Sequence, residues 1–288
     1  MSRERKNYAA ARLITLLTIT VAGCQAGNAT ENQSETEYPT PIIIPIETVQ
    51  PTILAEPTAT STPEPTPTPE RSIASLAGGE YGRGNLDRKE ISLTFDCGAS
   101  GVPTSAILEA LRKEGVRATF FITGQWARTY PNLTRQIAEE HEIANHSFSH
   151  PEFILLTNAQ ILEEMDKTEQ IIADITGKST KPFWRPPYGN RDSRVNSVVA
   201  QAGWPYSIMW TVERTAQGWI TGDSGDWTNI SPQEVTFNIM RASELGNGII
   251  TVSHCGSTQT AASLSQTLEI LKSKGFRITT VSEILGSQ

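Results

Sequence analysis

The sequence contains no apolar run long enough to cross a bilayer, no excess of positive charge and no internal repeat. The first absence excludes an ordinary membrane-spanning helix, since the longest leading apolar stretch, Leu13 to Val21, falls well short of a span. The second argues against a nucleic-acid partner: the net charge is -7, and no basic cluster remains once the first residues are set aside. Charge divides unevenly along the chain. Residues 1–24 carry +3, residues 25–70 carry -7 with no Lys or Arg, and the remainder carries -3.

What is present at the N-terminus is an export pattern. Arg3, Arg5, Lys6 and Arg12 lead into the short apolar run, which ends in the small residues Ala22 and Gly23. Val21-Ala22-Gly23-Cys24 resembles a bacterial lipobox, which implies cleavage before Cys24, lipidation of Cys24, and a location outside the cytoplasm on the cell surface or membrane. The expected division is therefore a lipoprotein signal peptide over 1–23, a lipid-anchored linker over 24–71, and one folded domain over 72–288. The linker reading rests on composition. Nine of the 17 prolines lie between Pro39 and Pro69, interleaved with Thr and Glu. Such a segment cannot bury a core and favours extended polyproline II, spanning on the order of 150 Å at full stretch.

From about residue 87 onward, strand-like apolar runs alternate with amphipathic helical ones, the pattern of βαβ units around a mostly parallel sheet or barrel. Strands are predicted at 90–96, 117–122, 142–144, 182–185, 206–210, 248–253 and 277–279. Helices are predicted near 103–113, 132–140, 158–176, 191–202, 232–245 and 260–274. In the longest helix, Ile161, Met165, Ile171, Ile172 and Ile175 recur at roughly helical spacing opposite Glu163, Glu164, Asp166 and Lys167. Chemically useful side chains fall just after predicted strands, where α/β barrels keep their active sites. Asp96 closes the first strand, His146-Ser147-Phe148-Ser149-His150 follows the third, Arg185-Pro186-Pro187-Tyr188-Gly189 the fourth, Trp210-Thr211-Val212-Glu213 the fifth, and Val252-Ser253-His254 the sixth.

This ordered set, covering about Asp87 to Leu285, resembles the polysaccharide deacetylase family, also called the NodB homology domain or carbohydrate esterase family 4. The resemblance implies an α/β fold, a distorted (β/α)7 barrel, and removal of N- or O-linked acetyl groups from a polymer such as peptidoglycan or chitin. By the same resemblance Asp96 is the general base, His254 the general acid, and Arg185 the arginine that holds the base. His146 and His150 are the metal-binding imidazoles, usually of zinc. The Tyr188 backbone N–H is an oxyanion donor, and Glu213 stands where the family often has an aspartate restraining the arginine. Trp219 is a candidate sugar-contacting residue. His141 falls outside the motifs and reads as structural.

Cys97 occupies the position at which the family usually has a second, metal-binding aspartate. Two readings of it compete. A thiolate is a good zinc ligand, so Cys97, His146 and His150 would make a three-ligand site. Alternatively, Asp96-Cys97-Gly98 and His254-Cys255-Gly256 repeat one pattern at two strand ends, and neighbouring strands in register would bring Cys97 and Cys255 within disulfide range. Exported location permits oxidation, and lipidation of Cys24 leaves an even pair. The expected activity is metal-assisted deacetylation of cell-wall or environmental glycan by a monomer. The alternatives are a surface glycan-binding protein with a degenerate site and a hydrolase of another non-peptide amide.

Overall fold

The computed structural model describes residues 79–286 apart from Asn229. The proposed signal peptide, Cys24 and the Thr/Pro linker lie outside the described residues. In chain order the elements are β1 (Gly79–Tyr81), β2 (Glu90–Cys97), α1 (Thr104–Lys113), β3 (Thr119–Ile122), α2 (Gly124–Thr129), α3 (Pro131–Glu140), β4 (Glu142–Asn145), α4 (Asn158–Thr176) and β5 (Phe183–Trp184). They continue with α5 (Ser193–Gln201), β6 (Tyr206–Ile208), β7 (Val212–Thr215), β8 (Gly218–Thr221), α6 (Pro232–Ser243), β9 (Ile249–His254), α7 (Thr258–Ser273), β10 (Arg277–Thr279) and α8 (Val281–Leu285).

Eight strands form one parallel sheet in the order β1-β6-β5-β4-β3-β2-β10, with β9 also paired to β2. The sheet curls. Backbone bonds from Thr211 to Ile250 and from Ser224 to Val252 lay the chain beyond β6 alongside β9, bringing the two sides of the sheet together. This is the distorted (β/α)7 barrel that the sequence reading expects. Its logic is visible in β2, whose eight residues are all buried and alternate faces. Ile91, Leu93, Phe95 and Cys97 join the apolar layer beneath the helices, together with Leu108, Phe120, Leu264 and Leu268. Ser92, Thr94 and Asp96 occupy the opposite, polar face.

The helices form for legible reasons. In α4, Thr157 caps the first turn through a reciprocal pair with Gln160, Ile161, Met165 and Ile172 are buried, and Gly177 ends the helix in a left-handed conformation at φ 71°. Full burial of each such apolar side chain contributes about 1.5–3 kcal/mol. His141 packs its ring on Phe120 at 5.1 Å, and burial pushes its pKa down to about 4, so it is neutral at pH 7 and structural.

Three departures from the expected elements bear on function. The strand predicted over 206–210 ends at Ile208, because Trp210 lies beyond the strand, at the wall of a cavity described below. The next residues form an antiparallel β7–β8 hairpin that periodicity did not reveal. An added short helix, α2, starts at Gly124 because the Thr123 hydroxyl accepts a bond from the Trp126 N–H.

Strands β2 and β9 pair in parallel register from Ile91 opposite Ile249 to Asp96 opposite His254. The residues after that last pair, Cys97 and Cys255, form a disulfide with a Cα separation of 5.0 Å. Both cysteines are fully buried in the helix-side apolar layer. By the chain-entropy argument a link spanning 158 residues stabilises the fold by at most about 5 kcal/mol. Iodoacetamide should therefore label neither Cys97 nor Cys255 in non-reduced protein and both after reduction in denaturant, and reduction should lower the melting temperature; labelling of both thiols in untreated native protein would contradict the link.

Candidate active site

The carboxyl ends of the strands surround a cavity of about 640 Å3. Asp96, His146, His150, Tyr188 and His254 all line it, with Trp210, Asp223 and Trp227 completing the wall. Strand pairing sets this convergence: β2 lies between β3 and β9, which places Asp96 beside His254, while the Asn145–Trp184 pairing of β4 with β5 brings His146 near Arg185.

Asp96 is buried and is held from behind by Arg185, which is itself completely inaccessible. Arg185 Nη1 donates to Asp96 Oδ1 at 2.7 Å and to the Thr94 hydroxyl at 2.8 Å, while Nε donates to the Ile208 carbonyl at 2.9 Å. The guanidinium lies 4.0 Å from the centre of the Phe121 ring. Burial alone would push the Asp96 carboxyl up; Arg185, helped by His146 and His254, outweighs burial and holds it below its ordinary value. Asp96 is thus ionised at neutral pH and fixed in orientation.

His146 is buried, and burial lowers its pKa to about 4 despite the nearby Asp96 charge. Its Nδ1 lies 3.0 Å from the Arg185 carbonyl oxygen, which can only accept, so Nδ1 carries the proton and Nε2 presents a lone pair. That Nε2 faces Asp96 Oδ2 at 3.5 Å. The His150 ring stands edge-on to His146 at 4.9 Å and to Tyr188 at 4.5 Å. His150 and Tyr188 both adopt left-handed backbone conformations, with φ of 62° and 59°. Such strain is held at functional turns when the surrounding structure over-determines it.

Two acceptors facing one another suit a cation, and the imidazoles suit a divalent one. The donor set is nevertheless one ligand short of an ordinary protein zinc site. Among the described residues no group of three His, Cys, Asp or Glu is arranged to hold a metal. The three-ligand reading of Cys97 is corrected by the structure: with Asp96 facing the cavity, strand alternation turns Cys97 to the other side, where Cys255 takes its sulfur.

His254 is organised by a residue the sequence reading did not single out. Asp226 Oδ1 accepts from His254 Nδ1 at 2.7 Å, and Asp226 Oδ2 accepts from the His254 backbone N–H at 2.8 Å and the Thr260 hydroxyl at 2.5 Å. Burial acts to lower the His254 pKa, but the Asp226 bond and the charges of Asp96 and Asp226 prevail and raise it above 6.5. Nδ1 being engaged, Nε2 is the nitrogen left to serve chemistry.

One further expectation is corrected. Glu213 does not restrain Arg185; it sits on β7 and pairs with Arg83, because the hairpin carries it away from the barrel axis. Trp219 lies on β8 outside the cavity wall, whereas Trp210 and Trp227 are in it. Asp223, Asp226 and Trp227 follow the unforeseen hairpin in a segment without helical or strand periodicity, and the only available signal was their clustering as Asp-x-x-Asp-Trp.

A family model described as polysaccharide deacetylase matches residues 83–207. The chain is similar to the peptidoglycan-N-acetylglucosamine deacetylase of Bacillus cereus, 31% identical over 69% of this chain and 69% of that protein. It is similar in structure to a family 4 carbohydrate esterase from Streptomyces lividans in complex with acetate, at a TM-score of 0.57 and 34% identity over 66% of this chain and 91% of that one. It is also similar to a family pseudoenzyme from Bacillus anthracis, at a TM-score of 0.65 and 26% identity over 73% of this chain and 69% of that one. Other curated relatives include peptidoglycan and chitin deacetylases, and the chain spans between 37% and 75% of the length of the curated relatives it matches.

Histidine NMR titration checks the electrostatics directly. The His254 ring should titrate above 6.5, and Asp226→Asn should bring it down; an unchanged midpoint in that variant would sever the link between the two residues.

Proposed function

Because this chain belongs to the polysaccharide deacetylase family, we propose that it hydrolyses acetyl groups, foremost N-linked ones, on a bacterial cell-wall or environmental glycan. The observation that carries the reading is the pair at the ends of two adjacent strands, both facing one cavity: an ionised Asp96 held by Arg185 and a protonatable His254 held by Asp226. Asp96 takes the proton from a water that attacks the acetyl carbonyl, and the Tyr188 backbone N–H steadies the oxyanion that develops. His254 Nε2 then delivers a proton to the departing amine. Their pKa directions match the roles, since the base is ionised and the acid stays charged towards neutral pH.

His146 and His150 are the proposed protein ligands of a divalent ion, zinc by the softness of the donors. Bound there, such an ion would polarise the acetyl carbonyl and acidify its water. With two protein ligands such an ion would be held more weakly than in a three-ligand site. Relatives that act on peptidoglycan support a substrate of that class and action outside the cytoplasm. Attachment through lipidated Cys24 is part of the same proposal.

The missing ligand favours one second reading: a glycan-binding protein with a degenerate site, as its likeness to the B. anthracis pseudoenzyme also suggests. Acetate release from N-acetylated oligosaccharides, assayed with and without added zinc, separates the two. On the deacetylase reading Asp96→Asn and His254→Ala each lower the rate by about 10²- to 10⁴-fold. Glycan binding without metal-stimulated turnover in the unaltered chain would establish the binding protein instead.

A further inference from the structure

The loop that leaves β4 carries His146 and His150, and it adopts a conformation that its own residues resist. Ser147 and His150 both lie in the left-handed region, at φ of 67° and 62°, where a side chain is disfavoured. The loop belongs to no strand or helix, so its backbone groups need partners from elsewhere.

Those partners are mostly side chains. The Ser147 N–H donates to Asn145 Oδ1 at 2.9 Å, and the His150 N–H to the Ser147 hydroxyl at 3.0 Å. The two N–H groups between them end on a single carboxylate. Glu164 Oε2 accepts from Phe148 at 2.8 Å and from Ser149 at 2.7 Å, while Oε1 accepts from the Ser149 hydroxyl at 2.7 Å. On the other side of the loop, the Ser147 and Phe148 carbonyls take the Gly124 and Gln125 N–H groups of α2, each at 3.0 Å.

Glu164 is presented by a rigid element. It stands in the second turn of α4, which Ile161, Met165 and Ile172 bury against the core. Its neighbours on the helix complete the clamp: Lys167 sets its ammonium 3.8 Å from the centre of the Phe148 ring, and the Met165 carbonyl accepts from Asn145 Nδ2 at 3.0 Å. This anchoring matters because Cys97 supplies no third donor to the cavity. Two imidazoles have to be placed by the protein itself, and bonds to the loop that carries them are the means available.

We propose that Glu164 is a positioning residue for the reaction. By gathering the Phe148 and Ser149 N–H groups and the Ser149 hydroxyl, it sets the left-handed turn at His150 and with it the placement of the His150 imidazole against His146 and Tyr188. It touches no reacting atom. The proposal rests on the reading of His146 and His150 as the working imidazoles of a deacetylase.

Three measurements on the full chain test it: amide hydrogen exchange by NMR, zinc affinity by calorimetry, and kcat and KM for acetate release. Glu164→Ala should speed exchange at Phe148 and Ser149 by about 10- to 100-fold, the range for hydrogen bonds to a charged acceptor. It should weaken zinc by about 10-fold and lower kcat by about 10- to 100-fold with KM unchanged. Glu164→Gln keeps an acceptor oxygen and should recover most of each loss. The control is Glu142→Ala, since Glu142 also accepts a backbone N–H and a hydroxyl, from Ser282 and Thr119, at the far end of β4. That variant should lower the melting temperature and leave the other readouts unchanged. Unchanged exchange or kcat in Glu164→Ala, a Gln variant as impaired as the Ala one, or equal kcat losses in Glu164→Ala and Glu142→Ala would each overturn the assignment. Faster exchange and weaker zinc in Glu164→Ala, without acetate release by the unaltered chain, remove the deacetylase reading and leave the positioning role standing. Acetate release that Glu164→Ala does not impair does the reverse, and an unaltered chain that neither binds zinc nor releases acetate removes both.

Discussion

The buried ion pair between Asp96 and Arg185 is the interaction on which the site depends. A carboxylate and a guanidinium taken out of water each carry a desolvation cost of several kcal/mol, which only close geometry and further hydrogen bonds offset. Here the offset comes from the Thr94 hydroxyl, the Ile208 carbonyl and the Phe121 ring, contributed by three different strands of the barrel. The pair therefore ties the order of the sheet to the state of one carboxylate. If Arg185 were lost, Asp96 would be left buried and unpaired, and it would take up a proton in place of serving as a base.

The neighbouring strand repeats this logic with the sign reversed. His254 ends β9 as Asp96 ends β2, and Asp226 does for the imidazole what Arg185 does for the carboxylate. One step further along each strand, the chain crosses to the helix-side layer and is joined by the Cys97–Cys255 disulfide. The covalent link thus lies directly beneath the acid–base pair while its sulfurs face away from the cavity. The position at which a third metal ligand was expected serves instead to tie the two functional strands together, which leaves His146 and His150 as the imidazoles available to a cation.

Much of this was legible in the sequence because the barrel writes its site at strand ends. Asp96, His146, His150, Arg185, Tyr188 and His254 each follow an apolar run that periodicity identifies, and the structure gathers all six at or behind one cavity. Strand alternation also contained the answer for Cys97, since neighbours on a strand face opposite sides and Asp96 had already been given the cavity side. What stayed hidden follows β6. The β7–β8 hairpin is short, half exposed and antiparallel, so its register could not be inferred from a parallel pattern, and it carries Glu213 to Arg83 instead of Arg185. Asp226 escaped because its role is a contact across 28 residues, made by a loop residue with no periodic signature.

Asp96 is held ionised while His254 is held charged, and the pH dependence of kcat/KM for acetate release tests this pairing most directly. A depressed base and an elevated acid predict a bell with its acidic limb below 3.8 and its alkaline limb above 6.5. An acidic limb near neutrality, or an alkaline limb below 6.5, would contradict it.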